Sequence, residues 1–204
     1  MTPVPARVAL LVTGASGMLL PRSFLAVLAR HPAVERIHLV VSKGASQVLH
    51  HELGHDRTGA ESLVEAAGLD AKGRSKVVVH RDNELDAPIS SGSYRLAGAV
   101  VLPASAGTVG ALATGVSDTL VHRAGAVALK ERWPLLLGFR ETPLALVHLE
   151  NLRALTYAGA VVVPPIPAFY VGGESMERFL DAYAQRLLDL LGLGPEGPGL
   201  RWRS

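Results

Sequence analysis

Short apolar runs recur along the chain, each long enough for a β-strand, and alternate with segments of helical periodicity. The first run, Arg7–Thr13, is apolar between its ends, as is typical of a parallel strand covered on both faces. Strands are predicted at Arg7–Thr13, Ile37–Ser42, Lys76–His80, Ala97–Leu102, Pro134–Phe139 and Ala160–Val163. Helices are predicted at Ser23–Arg30, Ala45–Leu53, Ala60–Ala67, Thr108–Thr114, Thr119–Arg132, Pro143–Tyr157 and Ser175–Leu191. This alternation predicts a single-domain, Rossmann-like or flavodoxin-like α/β fold, with a doubly wound parallel sheet in three α/β/α layers.

The composition narrows the classes of function. Of the 204 residues, 49% are hydrophobic and 19% charged, which suits one domain with a sizeable core. Cysteine is absent, which excludes disulfides, zinc–thiolate sites, iron–sulfur clusters and a cysteine nucleophile. A net charge of +2 and scattered arginines argue against a nucleic-acid-binding stripe, and the histidines lack metal-ligand spacing. Since neither a targeting signal nor an apolar run of about 18 residues stands out, we expect a cytoplasmic protein that does not enter the membrane.

Polar residues follow five of the predicted strands at their carboxyl ends. In open α/β sheets, ligands bind at this edge. The segments concerned are Gly14–Gly17, Ser42–Lys43, Pro103–Ser105, Arg140–Glu141 and the proline-rich loop 164–170. Together they predict a ligand cleft along one edge of the sheet.

Each of these segments also has a purely structural interpretation. The Gly14–Gly17 turn lacks the G-x-G-x-x-G pattern, and Ser42 rather than an acid closes the second strand, which argues against NAD. The turn fits a tight connection as well as a phosphate contact. Ser105 opens a helix either as an N-cap or as an anion ligand. Thr142 and Pro143 suit the N-cap and first position of the next helix.

The charged and aromatic residues leave similar alternatives open. Arg140 and Glu141 are either a surface pair or a functional one, with the arginine binding phosphate and the glutamate moving a proton. Arg123 and Lys130 lie seven residues apart on one helix face, where exposed cations are the default. The loop that ends in Tyr170 is either a rigid turn or a wall that holds this tyrosine over a ligand.

Seven motifs occur in an order and spacing that identify a family. They are GASGM (14–18), SKGA (42–45), SSGSY (90–94), PASAGT (103–108), HRAGAVALKER (122–132), RETPLALVHLEN (140–151) and PPIPAFY (164–170). Over nearly its whole length the chain resembles the UbiX-type flavin prenyltransferases. The resemblance implies a Rossmann-like homododecamer with sites between subunits and a flavoprotein domain at 1–192. A tail at 193–204 would contribute Trp202 to the site.

The same resemblance implies an activity. Such enzymes transfer a dimethylallyl group from dimethylallyl monophosphate to reduced FMN and close a further ring across N5 and C6 of the flavin. The prenylated FMN serves UbiD-type decarboxylases, for example in ubiquinone biosynthesis. Older names call these proteins aromatic-acid or polyprenyl-hydroxybenzoate carboxy-lyases.

The resemblance assigns roles residue by residue. The FMN site would comprise Gly14, Ala15, Ser16, Ser42, Ser105, Ala106, Gly107, Thr108 and Arg123. The dimethylallyl phosphate would be held by Lys130, Arg140, Tyr170 and Arg186. Glu141 with Ser16 would assist proton transfer, Glu52 would be a second acid near the flavin, and Lys130 would also serve catalysis. Tyr94 and Trp202 would contact the prenyl group. Because several cations can stabilise a departing phosphate, no metal is expected.

The chain departs from the family pattern at three places, and two other functions compete. Ala104 stands where Cys is common, Gly107 where Lys or Asn is frequent, and Met18–Arg22 where a small residue, Tyr and Gly are usual. These changes affect flavin contacts and leave the proposed phosphate ligands intact. PASAGT also resembles the PASANT loop of FMN-dependent cysteine decarboxylases, which gives a first alternative. A non-catalytic FMN carrier is the second.

Overall fold

The computed structural model describes residues 6–54, 59–167, 169 and 175–194. Within them, all strand pairs are parallel, and six strands form one sheet in the order β3-β2-β1-β4-β5-β6. The strands are β1 (Ala6–Val12), β2 (Val34–Val41), β3 (Val77–His80), β4 (Gly98–Ala104), β5 (Leu135–Phe139) and β6 (Val161–Val162). The predicted doubly wound single domain is therefore confirmed, with helices on both faces of the sheet.

The helices of the described residues divide between the two faces. They are α1 (Leu19–Arg30), α2 (Lys43–Leu53), α3 (Ala60–Ala66), α4 (Ala71–Lys76), α5 (Ala106–Thr114), α6 (Leu120–Lys130), α7 (Leu146–Tyr157) and α8 (Met176–Leu190). Buried side chains of α1, α2, α3 and α8 share one core, and those of α5, α6 and α7 share the other. In this part of the chain, no helix has both the length and the apolar character needed to cross a bilayer.

Strand β1 shows how the sequence produces the two cores. Its side chains alternate between the faces, so that Val8, Leu10 and Val12 enter one core while Ala9 and Leu11 enter the other. All five are fully buried. A strand covered on both faces must be apolar at every position, which is the run seen in the sequence.

In the first half of the chain, helix α1 starts well before its predicted first residue, and helix α4 has no counterpart among the predicted helices. Helix α1 begins at Leu19, four residues before the predicted Ser23. Its first turn accommodates Pro21 because backbone N–H groups there have no acceptor within the helix. Helix α4 was not predicted, because its short polar sequence contains a glycine; the Asp70 carboxylate caps it by accepting a 2.6 Å hydrogen bond from the N–H of Gly73.

The start of α7 was predicted wrongly. The N-cap is Ala145 and not Thr142, so Pro143 lies before the helix rather than at its first position. The carbonyl of Ala145 accepts the first helical hydrogen bonds, and its N–H donates to Nδ1 of His148 at 3.2 Å. The segment between β5 and α7 is therefore a loop at the carboxyl edge of the sheet.

Candidate active site

One buried hydroxyl ties the carboxyl ends of β1 and β4 together. Thr13 follows β1 and is 1% exposed. Its Oγ1 donates a 2.7 Å hydrogen bond to the carbonyl of Pro103 and accepts a 2.8 Å bond from the N–H of Ser105. The strand order reverses between β1 and β4, which is where ligands bind in such sheets. Sequence reasoning missed Thr13, whose signal was a hydroxyl at the end of an apolar run.

The turn after β1 passes directly against the first turn of α2. A Cβ on Gly14 would lie 3.1 Å from the carbonyl carbon of Gly44 and 3.2 Å from its Cα. Gly14 thus lets two backbones approach more closely than any side chain would allow. Gly17 adopts a φ of 113°, a region that glycine reaches without a steric penalty. The path of this turn therefore depends on both glycines.

Glu52, in the last turn of α2, holds the same turn through its carboxylate. It accepts a hydrogen bond from the N–H of Met18 at 2.7 Å and from the N–H of Gly17 at 3.0 and 3.1 Å. Burial would raise the pKa of Glu52, but these hydrogen bonds lower it below its ordinary value. The Ser16 side chain and the positive charge of Arg140 act in the same direction. Glu52 is therefore a carboxylate at neutral pH.

Arg140 reaches this turn from the end of β5. Its Nε donates a 3.0 Å hydrogen bond to the carbonyl of Ser16, and its N–H donates to the carbonyl of Ala104 at 3.3 Å. Among the described residues, neither terminal nitrogen of its guanidinium has a hydrogen-bond partner. An arginine held through Nε presents these nitrogens as a fixed fork for phosphate. The structure thus brings Ser16, Glu52 and Arg140 together.

Glu141 lies beside Arg140 and is half-buried. Its Oε1 accepts a 3.0 Å hydrogen bond from the N–H of Thr142. Within the described ranges its other carboxylate oxygen has no partner, and the two neighbours form no ion pair with each other. One oxygen is therefore available to exchange a proton at the carboxyl edge, as general acid–base chemistry requires.

Ser42 and Ser105 cap two helices that begin at this edge. The hydroxyl of Ser42 accepts a 3.2 Å hydrogen bond from the N–H of Ala45 at the start of α2. At the start of α5, the Ser105 hydroxyl accepts from the N–H of Thr108 at 3.4 Å and donates to its Oγ1 at 3.0 Å. The N-cap interpretation of Ser105 is confirmed, and Ser42, for which no cap was predicted, is an N-cap as well. The positive ends of two helix dipoles consequently face the edge where an anion would bind.

Small residues complete the predicted FMN contacts. Ala15 is buried and donates its N–H to the carbonyl of Thr13 at 2.9 Å. Ala106 and Gly107 are the first residues of α5. A Cβ on Gly107 would meet no atom within 4 Å, so packing within the chain does not require glycine there.

The remaining cations do not join Arg140 within one chain. Arg123 lies near the start of α6, where its Nε donates to the carbonyl of Ser90 at 3.2 Å. Lys130 ends the same helix at the amino edge of the sheet, with its side chain 63% exposed and its Nζ 3.1 Å from Glu131. Arg186 is exposed on α8. The predicted phosphate ligands Lys130, Arg140 and Arg186 are therefore spread over separate parts of the surface.

The edges of the sheet show why Lys130 and Arg140 are apart. Helix α6 starts where the N–H of Leu120 binds the carbonyl of Asp82, just beyond the carboxyl end of β3. It ends near Pro134, whose carbonyl accepts from the N–H of Ala99 at the amino end of β4. An 11-residue helix spans about 16 Å. A site that uses both Lys130 and Arg140 thus needs two copies of the chain.

Tyr94 has partners that the sequence did not suggest. Its hydroxyl lies 3.0 Å from Nε2 of His38, and the guanidinium of Arg7 lies over its ring at 4.8 Å from the centroid. The ring packs against the core under α6 rather than at the crevice between β1 and β4. Within one chain, Tyr94 therefore does not lie beside Arg140 as a prenyl contact would.

Two predicted site residues, Tyr170 and Trp202, lie outside the described residues, as does nearly all of the tail at 193–204. In the described part of the chain, no group of three or more His, Asp or Glu side chains is arranged to hold a metal ion.

Similarity to known proteins decides the family. The model of the Flavoprotein family matches residues 3–182. The flavin prenyltransferase UbiX of Synechocystis sp. is 42% identical, over 95% of this chain and 94% of its own. The chain belongs to the UbiX-type flavin prenyltransferase family.

Two solved structures of the family's kind share this fold. AnUbiX (PadA1), solved with FMN and dimethylallyl pyrophosphate, is 37% identical to this chain with a TM-score of 0.77. The match covers 97% of this chain and 99% of AnUbiX. A dodecameric FMN-dependent UbiX-like decarboxylase of Escherichia coli O157:H7 matches with a TM-score of 0.82 and 35% identity, covering 97% and 100%.

The cysteine decarboxylases are less similar to this chain than the flavin prenyltransferases are. TvaF, an FMN-dependent cysteine decarboxylase of thioviridamide biosynthesis, is 19% identical with a TM-score of 0.61, covering 92% of this chain and 98% of its own. At that identity the likeness shows the fold alone. The PASAGT loop is thus the one feature that favours this alternative.

Proposed function

We propose that the chain transfers a dimethylallyl group from dimethylallyl monophosphate to reduced FMN. The observation that carries this proposal is the meeting of Ser16, Glu52 and Arg140 at the crevice between β1 and β4. It occurs in a chain that is 42% identical to a flavin prenyltransferase over nearly its whole length. The flavin supplies the attacking atoms, so the chain needs no nucleophile of its own.

The crevice suits a flavin mononucleotide. The capped starts of α2 and α5 offer positive dipole ends to a phosphate. At Gly14 and Gly44, the turn after β1 and the first turn of α2 meet backbone to backbone, with no side chain of either residue between them. The terminal nitrogens of Arg140, which have no hydrogen-bond partner among the described residues, add a cationic fork. These groups would orient the flavin at the point where the strand order reverses.

The charged residues suit the departure of a phosphate. The carbon–oxygen bond of the allylic phosphate would break, the phosphate leaving with the bonding pair, and the freed carbon would bond to N5, which loses its proton. The prenyl double bond would then take up a proton, and the resulting cationic carbon would bond to C6, which loses its proton. Lys130, Arg140, Tyr170 and Arg186 would bind the phosphate and stabilise its charge. Glu141 and Ser16 would move protons as the ring closes, since one carboxylate oxygen of Glu141 has no partner in the part of the chain that the structure describes.

The proposal requires a homo-oligomer, because Arg140 lies at the carboxyl edge of the sheet and Lys130 of the same chain lies at its amino edge. Helix α7 offers a surface for assembly. It buries only Leu155, while Leu146 is 72% exposed and Leu149 49% exposed. Large apolar faces of this kind are usually covered by a partner. The dodecamer of the UbiX-like protein from Escherichia coli is the arrangement that we propose.

Three further points stay proposals. The donor is the monophosphate, although the AnUbiX structure was solved with the pyrophosphate. The product passes to a UbiD-type decarboxylase, and the site uses no metal. The cytoplasmic location is a prediction from the sequence alone.

The decisive experiment combines the chain with reduced FMN and dimethylallyl monophosphate without air, and then weighs the flavin. We expect a gain of one dimethylallyl unit, and an unchanged mass from folded, flavin-binding protein would contradict the proposal. Glu141→Gln should slow this gain while FMN binding persists. Glu61→Gln is the matched control, because Glu61 forms a surface pair with Arg74 away from the crevice.

The same samples separate the alternatives. A cysteine decarboxylase would release carbon dioxide from a peptidyl-cysteine or phosphopantothenoylcysteine and leave the flavin mass unchanged. A carrier would bind FMN and deliver it intact, with no effect of Glu141→Gln. Failure to bind FMN would contradict all three functions.

A further inference from the structure

Away from the crevice between β1 and β4, four side chains form a hydrogen-bonded network in the order Tyr94, His38, His80 and Glu84. Nε2 of His38 lies 3.0 Å from the Tyr94 hydroxyl, and its Nδ1 lies 2.9 Å from Nε2 of His80. Nδ1 of His80 lies 3.3 Å from a carboxylate oxygen of Glu84. The imidazoles are 3% and 6% exposed and stack with 16° between their planes. All four ring nitrogens of this buried histidine pair therefore have a hydrogen-bond partner.

The Glu84 carboxylate, at one end of the network, determines which atom donates in each of its hydrogen bonds. Its hydrogen bond with His80, and that from the N–H of Arg81, lower the pKa of Glu84 below its ordinary value. An ionised carboxylate can only accept, so His80 carries its proton on Nδ1 and accepts at Nε2. His38 then donates from Nδ1, and Tyr94 donates to Nε2 of His38. With neutral imidazoles, no other arrangement satisfies all three bonds.

Glu84 and Tyr94, the two end members of the network, lie near the two ends of one loop. The segment 81–96 makes up all but the last residue of the connection from β3 to β4, with Glu84 four residues after β3 and Tyr94 four residues before β4. The histidines belong to β2 and β3, which pair in parallel. The rigid sheet thus binds both ends of a loop that has little regular structure of its own. A loop of this length needs such anchors, since ordering each residue costs about 1–2 kcal/mol of conformational entropy.

The middle of this loop contacts a residue predicted to bind FMN. The carbonyl of Ser90 accepts a 3.2 Å hydrogen bond from Nε of Arg123. Ile89, beside it, is fully buried. Arg123 is thus held through Nε by a backbone carbonyl, as Arg140 is held by Ser16. An arginine held in this way directs its terminal nitrogens as a fork.

We propose that His38 and His80 are positioning residues, which hold the segment 81–96 through Tyr94 and Glu84 so that the Ser90 carbonyl sets Arg123 for FMN. This inference rests on the proposed function, since it assigns Arg123 to the flavin. It adds a buried histidine pair that acts on the site through the loop and touches no ligand. The role of Tyr94 changes with it, from a contact with the prenyl group to the anchor of this loop.

The test is a double-mutant cycle on FMN affinity. Tyr94→Phe keeps the ring beneath Arg7 and removes the hydroxyl that donates to His38. We expect it to weaken FMN binding by about three- to tenfold, the range of one net hydrogen bond. In an Arg123→Ala background, the same change should have no further effect. Ser93→Ala is the matched control, because this exposed hydroxyl in the same segment bonds only with Ser91 among the described residues.

A second measurement reports on the loop itself. Hydrogen–deuterium exchange of the flavin-free full chain should rise in peptides covering 81–96 in Tyr94→Phe and stay unchanged in Ser93→Ala. His38→Gln should behave like Tyr94→Phe in both measurements. Unchanged exchange, unchanged FMN affinity, or effects of Tyr94 and Arg123 that simply add would each overturn the inference. So would a loss confined to the KM for the prenyl phosphate, because that outcome assigns Tyr94 to the prenyl group.

Binding of FMN to the unmodified chain distinguishes a failure of the proposed function from a failure of the inference about His38 and His80. A chain that binds no FMN contradicts the proposed function and this inference together. A chain that binds FMN and prenylates it, with additive variants, contradicts the inference alone.

Discussion

Glu52 accepts a 2.7 Å hydrogen bond from the backbone N–H of Met18, 34 residues earlier in the chain. The same carboxylate binds the N–H of Gly17. These groups belong to the turn before α1, where free N–H groups would otherwise attract an anion. An anionic side chain of the chain itself therefore shapes the turn that we assign to FMN. Arg140 binds the carbonyl of Ser16 in the same turn.

Replacing this carboxylate should cost stability. Glu52→Gln keeps the size of the side chain and removes the charge that accepts several N–H groups. We expect a loss of about 1–2 kcal/mol in the free energy of unfolding, measured with urea at pH 7, because hydrogen bonds to charged groups are the stronger ones. Glu61→Gln removes only an exposed pair with Arg74 and should cost far less. Equal losses in the two variants would contradict the role of Glu52 in the turn.

The contribution of Glu52 should depend on pH in a defined direction. Its pKa in the folded chain lies below the ordinary value of 4.5, so the stabilisation is complete above that value and is lost as pH falls through the lowered pKa. The difference in unfolding free energy between the unmodified chain and Glu52→Gln should therefore shrink below about pH 4.5. Urea titrations at several pH values measure it. A difference that stays constant into acid would show that the charge is not what holds the turn.

The two glycines of the predicted FMN site should respond differently to alanine. Gly14→Ala would place a Cβ 3.1 Å from the backbone of Gly44, so we expect a loss of about 1–3 kcal/mol as the turn and α2 move apart. Gly107→Ala would place a Cβ in open space in the first turn of α5 and should gain up to about 1 kcal/mol. Thermal and urea unfolding of both variants measure this contrast. A loss at Gly107 equal to that at Gly14 would contradict the packing argument.

The sequence predicted the layers of the fold and most of its elements, because parallel strands buried on both faces leave an unmistakable apolar run. It also predicted that Ser16 and Arg140 lie at one edge, since both follow strands. It could not predict the Thr13 bridge or the His38–His80 pair, because each depends on contacts between residues far apart in the chain. Nor could periodicity show that Lys130 ends its helix at the other edge of the sheet. That position depends on the topology of the crossover.

A site shared between subunits predicts complementation. If Lys130 of one copy acts with Arg140 of another, Lys130→Ala and Arg140→Ala should each be nearly inactive. Mixed oligomers of the two variants, formed by co-expression, should regain part of the prenylation rate, since some sites then combine both unmodified residues. Oligomers mixed from Arg140→Ala and an Arg140→Lys variant are the control, and they should regain little. No recovery in the first mixture would place both residues in one chain's site or remove one of them from it.

The buried His38 should make the chain less stable in mild acid. Burial lowers the pKa of His38 to about 4, and the charges of His80, Arg7 and Arg36 add to this effect. An unfolded histidine takes up its proton near 6.5, so between about pH 6.5 and pH 4 the unfolded state binds more protons. Stability should therefore fall as pH decreases through this window, and level off below it as far as His38 is concerned. In His38→Gln this part of the decrease should vanish, whereas His50→Gln, at an exposed histidine of α2, should retain it. Urea unfolding at pH 7 and pH 5 measures the difference, and identical slopes for the unmodified chain and His38→Gln would contradict the buried, neutral state of this imidazole.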